Sequence, residues 1–228
     1  MRRCMICLQE LDLFQGLDTG AFMKLCKCTA KKKLAKGEAL LCQGDITSAV
    51  YLIKAGKLKL TQITEDGREA ILDICGPGEI IGELSFFHEQ SSTTSAIAME
   101  ETFVCCFSRS QFEALIREDA HFALRIISYL GEKRYENLQK LGEDTRQTVK
   151  EKLLRLFYRF AGDYGKESEA GTLIDLKITQ QELADMIGSS RVMVIHALQE
   201  LEAANIIGRV NRQYLLKPDP CTSTHTFT

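Results

Sequence analysis

The chain has 228 residues, 45% of them apolar and 26% charged, with a formal net charge of −2. That length and apolar content suffice for two hydrophobic cores, while the near-neutral balance excludes a generally basic nucleic-acid coat, so any contact with DNA must be local. No apolar run reaches the roughly 20 residues a bilayer requires, and the opening MRRCMICLQELDLF lacks the long apolar segment and cleavage site of a signal peptide. A cytoplasmic protein without membrane contact is expected. Its nine cysteines are then not structural disulfides, because a reducing compartment keeps thiols free.

In chain order, residues 17–28 read as a short helix, after which the pattern changes to period two with regularly placed glycines. Gly37, Gly44, Gly56, Gly67, Gly76, Gly78 and Gly82 separate short strands such as 50–53, 58–63 and 70–74. Short strands with turns at this interval predict a sandwich or barrel, and Asp66-Gly67 is a hairpin signal. The strands end with 102–107, and 111–116 reads as a short helix.

Residues 120–141 form one long helix in this reading, with Phe122, Ile126, Ile127, Leu130, Leu138 and Leu141 at heptad-like intervals. A lone helix joining two domains would leave that stripe in water, so pairing with a symmetry mate is expected, the alternative being a packing face within the chain. Glu143-Asp144-Thr145 is the expected hinge. The domains are accordingly 1–118, a cysteine-bearing segment and sensor domain, 119–144, helix and hinge, and 145–228, the second domain with a polar tail.

From Thr145 to Lys217 there are eleven Lys or Arg against nine Asp or Glu. Within this part, 149–164 is a helix with Val149, Leu153, Leu156, Phe157 and Phe160 on one face. The stretch TQQELADMIGSSRVMVIHAL, 179–198, carries the spacing of a helix-turn-helix. Leu183, Ala184 and Ile187 form a stripe on the first helix, Gly188 turns the corner, and Val194 and Leu198 continue the stripe on the second. Ser189 or Ser190 caps the second helix, leaving Ser190, Arg191, Val192, Ile195 and His196 directed away from the core and toward a major groove. Residues 206–216 read as two short strands around Asn211-Arg212, a wing whose Arg209 and Arg212 would contact phosphates. Thr179 and Gln180, at the start of the first helix, would also touch phosphates and set the register.

These pieces resemble one family, the cyclic-AMP receptor protein and fumarate-nitrate reduction regulators (CRP/FNR). The resemblance rests on Lys36-Gly37-Glu38, Gln43-Gly44-Asp45, the run Gly76-Pro77-Gly78-Glu79-Ile80-Ile81-Gly82-Glu83-Leu84-Ser85, and the block from Leu183 to Leu198. It implies an α+β chain: an N-terminal jelly-roll-like β-roll of the cyclic-nucleotide-binding type, a long dimerisation helix, and a C-terminal winged helix-turn-helix. It further implies a homodimer that binds a palindromic operator in double-stranded DNA and recruits or blocks RNA polymerase.

The resemblance does not identify the signal. Nucleotide-binding members use a Gly-Glu pair and an Arg before Ser-Ala; here Gly82, Glu83 and Ser85 are present, but Ser92-Thr93-Thr94-Ser95-Ala96 has Thr94 where that Arg stands. A buried phosphate without its cation loses charge-assisted bonds of about 1.5–3 kcal/mol each, so Glu83, Ser85, Thr94 and Ser95 make a weak pocket for a cyclic nucleotide.

Oxygen-sensing members hold a [4Fe-4S] cluster on an N-terminal cysteine group plus one late in the roll, and Ala98-Met99-Glu100-Glu101-Thr102-Phe103-Val104-Cys105 is similar to that late context. Cys4 and Cys7 form a Cys-x-x-Cys pair whose two thiolates can reach one metal centre. Leu13 replaces a further expected cysteine, leaving Cys26 or Cys28 to complete the set. Cys4, Cys7, Cys26, Cys28 and Cys105 are therefore the candidate cofactor ligands, for a cluster, another thiophilic metal bound through Cys4, Cys7 and Cys105, or a reversible disulfide. Cys42 and Cys75 are expected to be buried small hydrophobes, Cys105 and Cys106 to point to opposite faces of their strand, and Cys221 to lie in the tail.

The DNA face departs from the best-known branches as well. Arg191 can pair with a guanine O6/N7 edge or a phosphate, whereas Val192 can only touch a thymine methyl or exclude water. An enzyme is not expected, since His88, His121, His196 and His225 stand in unrelated contexts with no nucleophile-base motif around them.

Overall fold

The computed structural model describes residues 30–47, 49–83, 90–143 and 147–218. The chain divides into two compact units, Met1–Gln139 and Lys140–Thr228. Cys4, Cys7, Cys26, Cys28, Ser85, Cys221 and the expected helix over 17–28 lie outside the described residues, as do Asp144 and Thr145 of the expected hinge.

In the first unit the strands are β1 (Ala30–Leu34), β2 (Ala39–Leu41), β3 (Ile46–Thr47), β4 (Ala49–Ala55), β5 (Leu58–Ile63), β6 (Glu69–Cys75), β7 (Ile80–Ile81), β8 (Gln90–Ser91), β9 (Ser95–Ala98) and β10 (Thr102–Ser108). They form two antiparallel sheets, ordered β1-β10-β4-β7 and β2-β9-β5-β6, with β3 and β8 paired separately. Leu34, Ile53, Ile81 and Val104 of the first sheet share one buried core with Leu40, Leu41, Leu58, Cys75, Ala96 and Ala98 of the second, so the sheets close on each other as a roll. Asp66-Gly67 turns β5 into β6, with the Thr64 N–H bonded to the Arg68 carbonyl at 2.9 Å and Gly67 at φ +78°.

Two helices follow, α1 (Arg109–Glu118) and α2 (Ala120–Glu143). The long helix is as expected in extent, but its apolar stripe is not one exposed face. Phe122 and Ile126 are buried within their own unit and Leu130 is half-buried, because this side of α2 rests on the roll. The Ile80 N–H donates to the Tyr129 hydroxyl at 3.1 Å. Lys133 pairs with Glu79, whose other carboxylate oxygen accepts from the Gly76 N–H at 2.6 Å. Burial pushes the Tyr129 phenol up to about 12, the Ile80 hydrogen bond offsetting part of the rise. The opposite side of α2 carries Leu124, Ile127, Tyr135 and Leu138, all exposed, with Gly131 between them. The side chain of Leu141 lies outside the described residues.

The second unit holds α3 (Val149–Tyr164), α4 (Gln180–Ile187) and α5 (Arg191–Ala203), with β11 (Gly165–Ser168), β12 (Gly171–Ile174), β13 (Ile207–Val210) and β14 (Gln213–Leu216) in the sheet order β11-β12-β14-β13. Leu153, Leu156, Phe157 and Phe160 of α3 are buried, and Phe157 meets Tyr214 with ring centroids 4.7 Å apart. The wing hairpin is as expected; the β11–β12 hairpin is an addition, built on a strand, Gly-Lys-Glu-Ser, that is exposed throughout and so carries no alternation to read. Among the described residues no helix is long and apolar enough to cross a membrane.

Candidate DNA-reading face and sensor site

The corner between α4 and α5 follows from local hydrogen bonding. Thr179 caps α4: its hydroxyl accepts from the Glu182 N–H at 3.2 Å, and Glu182 accepts from the Thr179 N–H at 2.9 Å. The Thr179 hydroxyl also donates to Glu182 at 2.9 Å, so this side chain is engaged in the cap and its register-setting role would run through α4 itself. Gly188 ends the helix at φ +63°, a left-handed conformation that a Cβ would strain. Ser189 gives its N–H to the Ala184 carbonyl at 3.0 Å. Of the two serines it is Ser190 that caps α5, accepting from the Met193 N–H at 3.3 Å.

That cap fixes where α5 begins, and the core fixes which of its sides faces water. Val194, Ala197, Leu198 and Leu201 are buried, while Arg191, Val192, Met193 and His196 are exposed and Ile195 is half-buried. Met193 is the residue of this face that sequence reasoning did not single out. His196 Nδ1 stands 3.4 Å from Glu200 Oε1, and Lys150 pairs with the second Glu200 oxygen at 3.4 Å. Gln180 is half-buried at the first position of α4.

In the wing, Asn211 and Arg212 both have positive φ, 49° and 70°, the pairing a two-residue hairpin turn requires. Arg212 is exposed at the apex. Arg209 is not at the tip: its Nε donates to Glu202 at 2.9 Å and its guanidinium lies 4.9 Å from the centre of the Tyr214 ring. It joins the wing to the end of α5. Burial raises the Tyr214 pKa, opposed in part by the Arg209 charge.

In the roll, Glu83 and Thr94 are half-buried. The Ser95 hydroxyl accepts from the Gln43 N–H at 2.9 Å, and the Gln43 side chain in turn accepts from the Ile63 N–H at 2.8 Å, so Ser95 secures the Gln43-Gly44-Asp45 loop. Thr94 exchanges backbone bonds with the Ser92 hydroxyl and brings no charge.

The cysteines separate clearly. Cys105 pairs in register with Leu52 and is buried on the sheet face opposite the roll core, while Cys106 pairs with Tyr51, which packs against that core. The two thiols therefore do point to opposite faces. Cys75 is buried in the core, and burial first, then the nearby Glu79 carboxylate, holds its thiol well above the ordinary range. Burial also raises the Cys106 thiol, with Lys32 opposing. Cys42 is a correction: it is exposed, because its N–H is tied to the Asp45 carboxylate at 2.7 Å in a surface turn rather than in a strand. Among the described residues no three His, Cys, Asp or Glu side chains converge as a metal site, and no second cysteine shares the Cys105 face. A cluster ligand set would need the N-terminal cysteines.

A β-roll followed by a long helix and a winged helix-turn-helix defines a sensor-linked, DNA-binding regulator. Residues 31–119 match the cyclic nucleotide-binding domain family and residues 151–220 the Crp-like helix-turn-helix domain family. The chain is 30% identical over 195 residues to the cyclic AMP receptor protein of Thermus thermophilus, covering 82% of this chain and 85% of that one. It is 26% identical over 184 residues to the anaerobic regulatory protein of Bacillus subtilis, covering 78% and 76%. The solved structure of FixK2 from Bradyrhizobium japonicum superposes with a TM-score of 0.72 at 19% identity, covering 83% of this chain and 93% of that one, a likeness of fold. The chain belongs to the CRP/FNR family of DNA-binding transcriptional regulators.

Proposed function

We propose that the protein acts in the cytoplasm as a homodimer, through the exposed side of α2, on a two-fold symmetric operator, where it recruits or blocks RNA polymerase. The observation that carries the DNA-reading assignment is the division of α5. One side is fixed in the core by Val194, Ala197 and Leu198, and the first two turns of the other offer Arg191, Val192 and His196 to solvent. Arg191→Ala is expected to cost about 1–3 kcal/mol on the preferred operator and to relax one base position. Arg212→Ala should weaken all sequences alike and lower the salt slope by about one. Fluorescence-anisotropy titrations across operator variants and salt concentrations check both; an unchanged Arg191→Ala profile removes the assignment.

For the signal, the reading is thiol chemistry: Cys4, Cys7 and Cys105, with Cys26 or Cys28, hold a [4Fe-4S] cluster or another thiophilic metal, or form a disulfide switch. The position of Cys105 supports it, since this buried thiol faces away from the roll core that Val104 joins and so takes no part in that core's packing. An anaerobic absorbance spectrum with iron and sulfide analysis tests the cluster. Cys4→Ser and Cys105→Ser should each abolish the DNA-binding response to oxygen or thiol oxidant, and Cys42→Ser and Cys221→Ser should not; responses like the wild type's in the first pair remove the site.

A second reading is favoured by the match of residues 31–119 to a cyclic nucleotide-binding domain. A small molecule in the roll, bordered by Glu83, Thr94 and Ser95, would then be the effector. A colourless protein after anaerobic reconstitution, whose melting temperature shifts with a ligand, supports this alternative.

A further inference from the structure

The first turn of α5 exposes two adjacent apolar side chains, Val192 at 75% and Met193 at 53%. Neither fills a core position, since that role falls to Val194, Ala197, Leu198 and Leu201. Their backbone is held by the Ser190 cap, which binds the Met193 N–H, so both side chains are presented from a fixed turn. Val192 and His196 are four residues apart on one exposed strip, and Met193 and His196 three apart, so the three form one patch. Arg191 borders it at the first position of the helix. An N-terminal turn of a recognition helix approaches base edges in the major groove, and the one apolar group displayed there by an unmodified base pair is the C5 methyl of thymine.

We infer that Val192 and Met193 form an apolar reader of thymine C5 methyl groups, so that each half-site places one or two thymines beside the base pair facing Arg191. This rests on the assignment of α5 as the base-reading helix. The pairing has a physical asymmetry: two desolvated aliphatic groups set against cytosine N4–H or adenine N6–H would bury a donor without a partner, a loss greater than the missing methyl contact. Discrimination therefore arises both from contact with thymine and from exclusion of the amino-bearing edges. Valine is stiff at χ1 and holds one position, whereas the unbranched methionine can adjust to a methyl at the neighbouring step.

The test begins with duplexes enriched by the full-length protein from a random-sequence pool. The enriched duplex is then made with each half-site thymine replaced in turn by deoxyuridine, which removes the methyl and nothing else. One or two replacements per half-site should weaken binding, each by about fourfold, the equivalent of one buried methyl group. Val192→Ala and Met193→Ala should each abolish the thymine-to-uracil difference at one position, with the larger loss of affinity falling on the thymine duplex. Both side chains are exposed, so the melting temperatures of these variants should match the wild type's. Equal binding of thymine and uracil duplexes at every position overturns the inference and leaves base reading by α5 intact. If no duplex is enriched, the base-reading assignment fails and this inference with it.

Discussion

Ile127→Glu is expected to convert the proposed homodimer to a monomer and to lower its affinity for a full two-fold operator by about 100-fold or more. The outer side of α2 carries Leu124, Ile127, Gly131 and Leu138, spaced three, four and seven residues apart, the interval of a coiled-coil seam. Leu124, Ile127 and Leu138 are exposed, so nothing within the described chain buries them. A carboxylate at the position of Ile127 would have to be desolvated between two copies, a cost of several kcal/mol. A monomer engages one half-site, and loss of the second, tethered half removes a factor of about 10²–10⁴ in avidity. Leu130 is a poorer probe because it is half-buried, so a charge there mixes dimer loss with loosening of α2. Sedimentation and operator titration check the result, and a wild type that is monomeric yet binds a full palindrome tightly contradicts it.

Gly56→Ala should be the most damaging of the glycine substitutions in the roll. Gly56 has φ +84°, and a Cβ there would stand 2.4 Å from the Thr102 Oγ1, 2.6 Å from the Glu101 carbonyl oxygen and 2.7 Å from the Thr102 Cα. Thr102 cannot yield, being fully buried with its hydroxyl donating to the Glu100 carbonyl at 2.9 Å. Strain of about 1–3 kcal/mol from the left-handed backbone adds to about 1–3 kcal/mol of overpacking. Gly67 has a similar φ, +78°, but open space around it, so Gly67→Ala should cost only about 1–2 kcal/mol. Urea unfolding of the two variants separates the terms; equal losses would show that the clash at Gly56 is relieved.

Much of the fold was legible because its punctuation is local. Gly67 and Asn211 each favour the positive φ that their turns require, although Arg212 adopts it without such a preference, and the Thr179 to Ser190 stretch encodes two caps and a corner within a dozen residues. What was missed depends on partners distant in sequence or on surfaces without pattern. The β11 strand is exposed along its whole length, so neither of its faces alternates. Arg209 reads as a wing-tip cation until Glu202, on the preceding helix, and Tyr214, across the hairpin, are seen to hold it. Heptad spacing on α2 marked apolar residues correctly but could not divide them between the buried side, which takes Phe122 and Ile126, and the open side, which keeps Ile127 and Leu138. Met193 escaped notice because it lies at the margin of the apolar stripe, and it is the burial of Val194, Ala197, Leu198 and Leu201 that leaves it outside the core.

The two sides of α2 place that helix between the roll and the edge through which pairing is proposed. Along one edge it is gripped by the roll through Ile80 to Tyr129 and Glu79 to Lys133, bonds that belong to the same four-residue glycine turn and the strand it leads into. Along the other edge lie the side chains that would mesh with a second copy. Turning an α-helix by about 20° sweeps a side-chain tip some 5 Å from the axis through about 2 Å, more than a close-packed seam can absorb by compression. In the proposed dimer, a displacement of the Gly76–Glu79 turn that rotated α2 would therefore be felt along the open edge as well as at the roll.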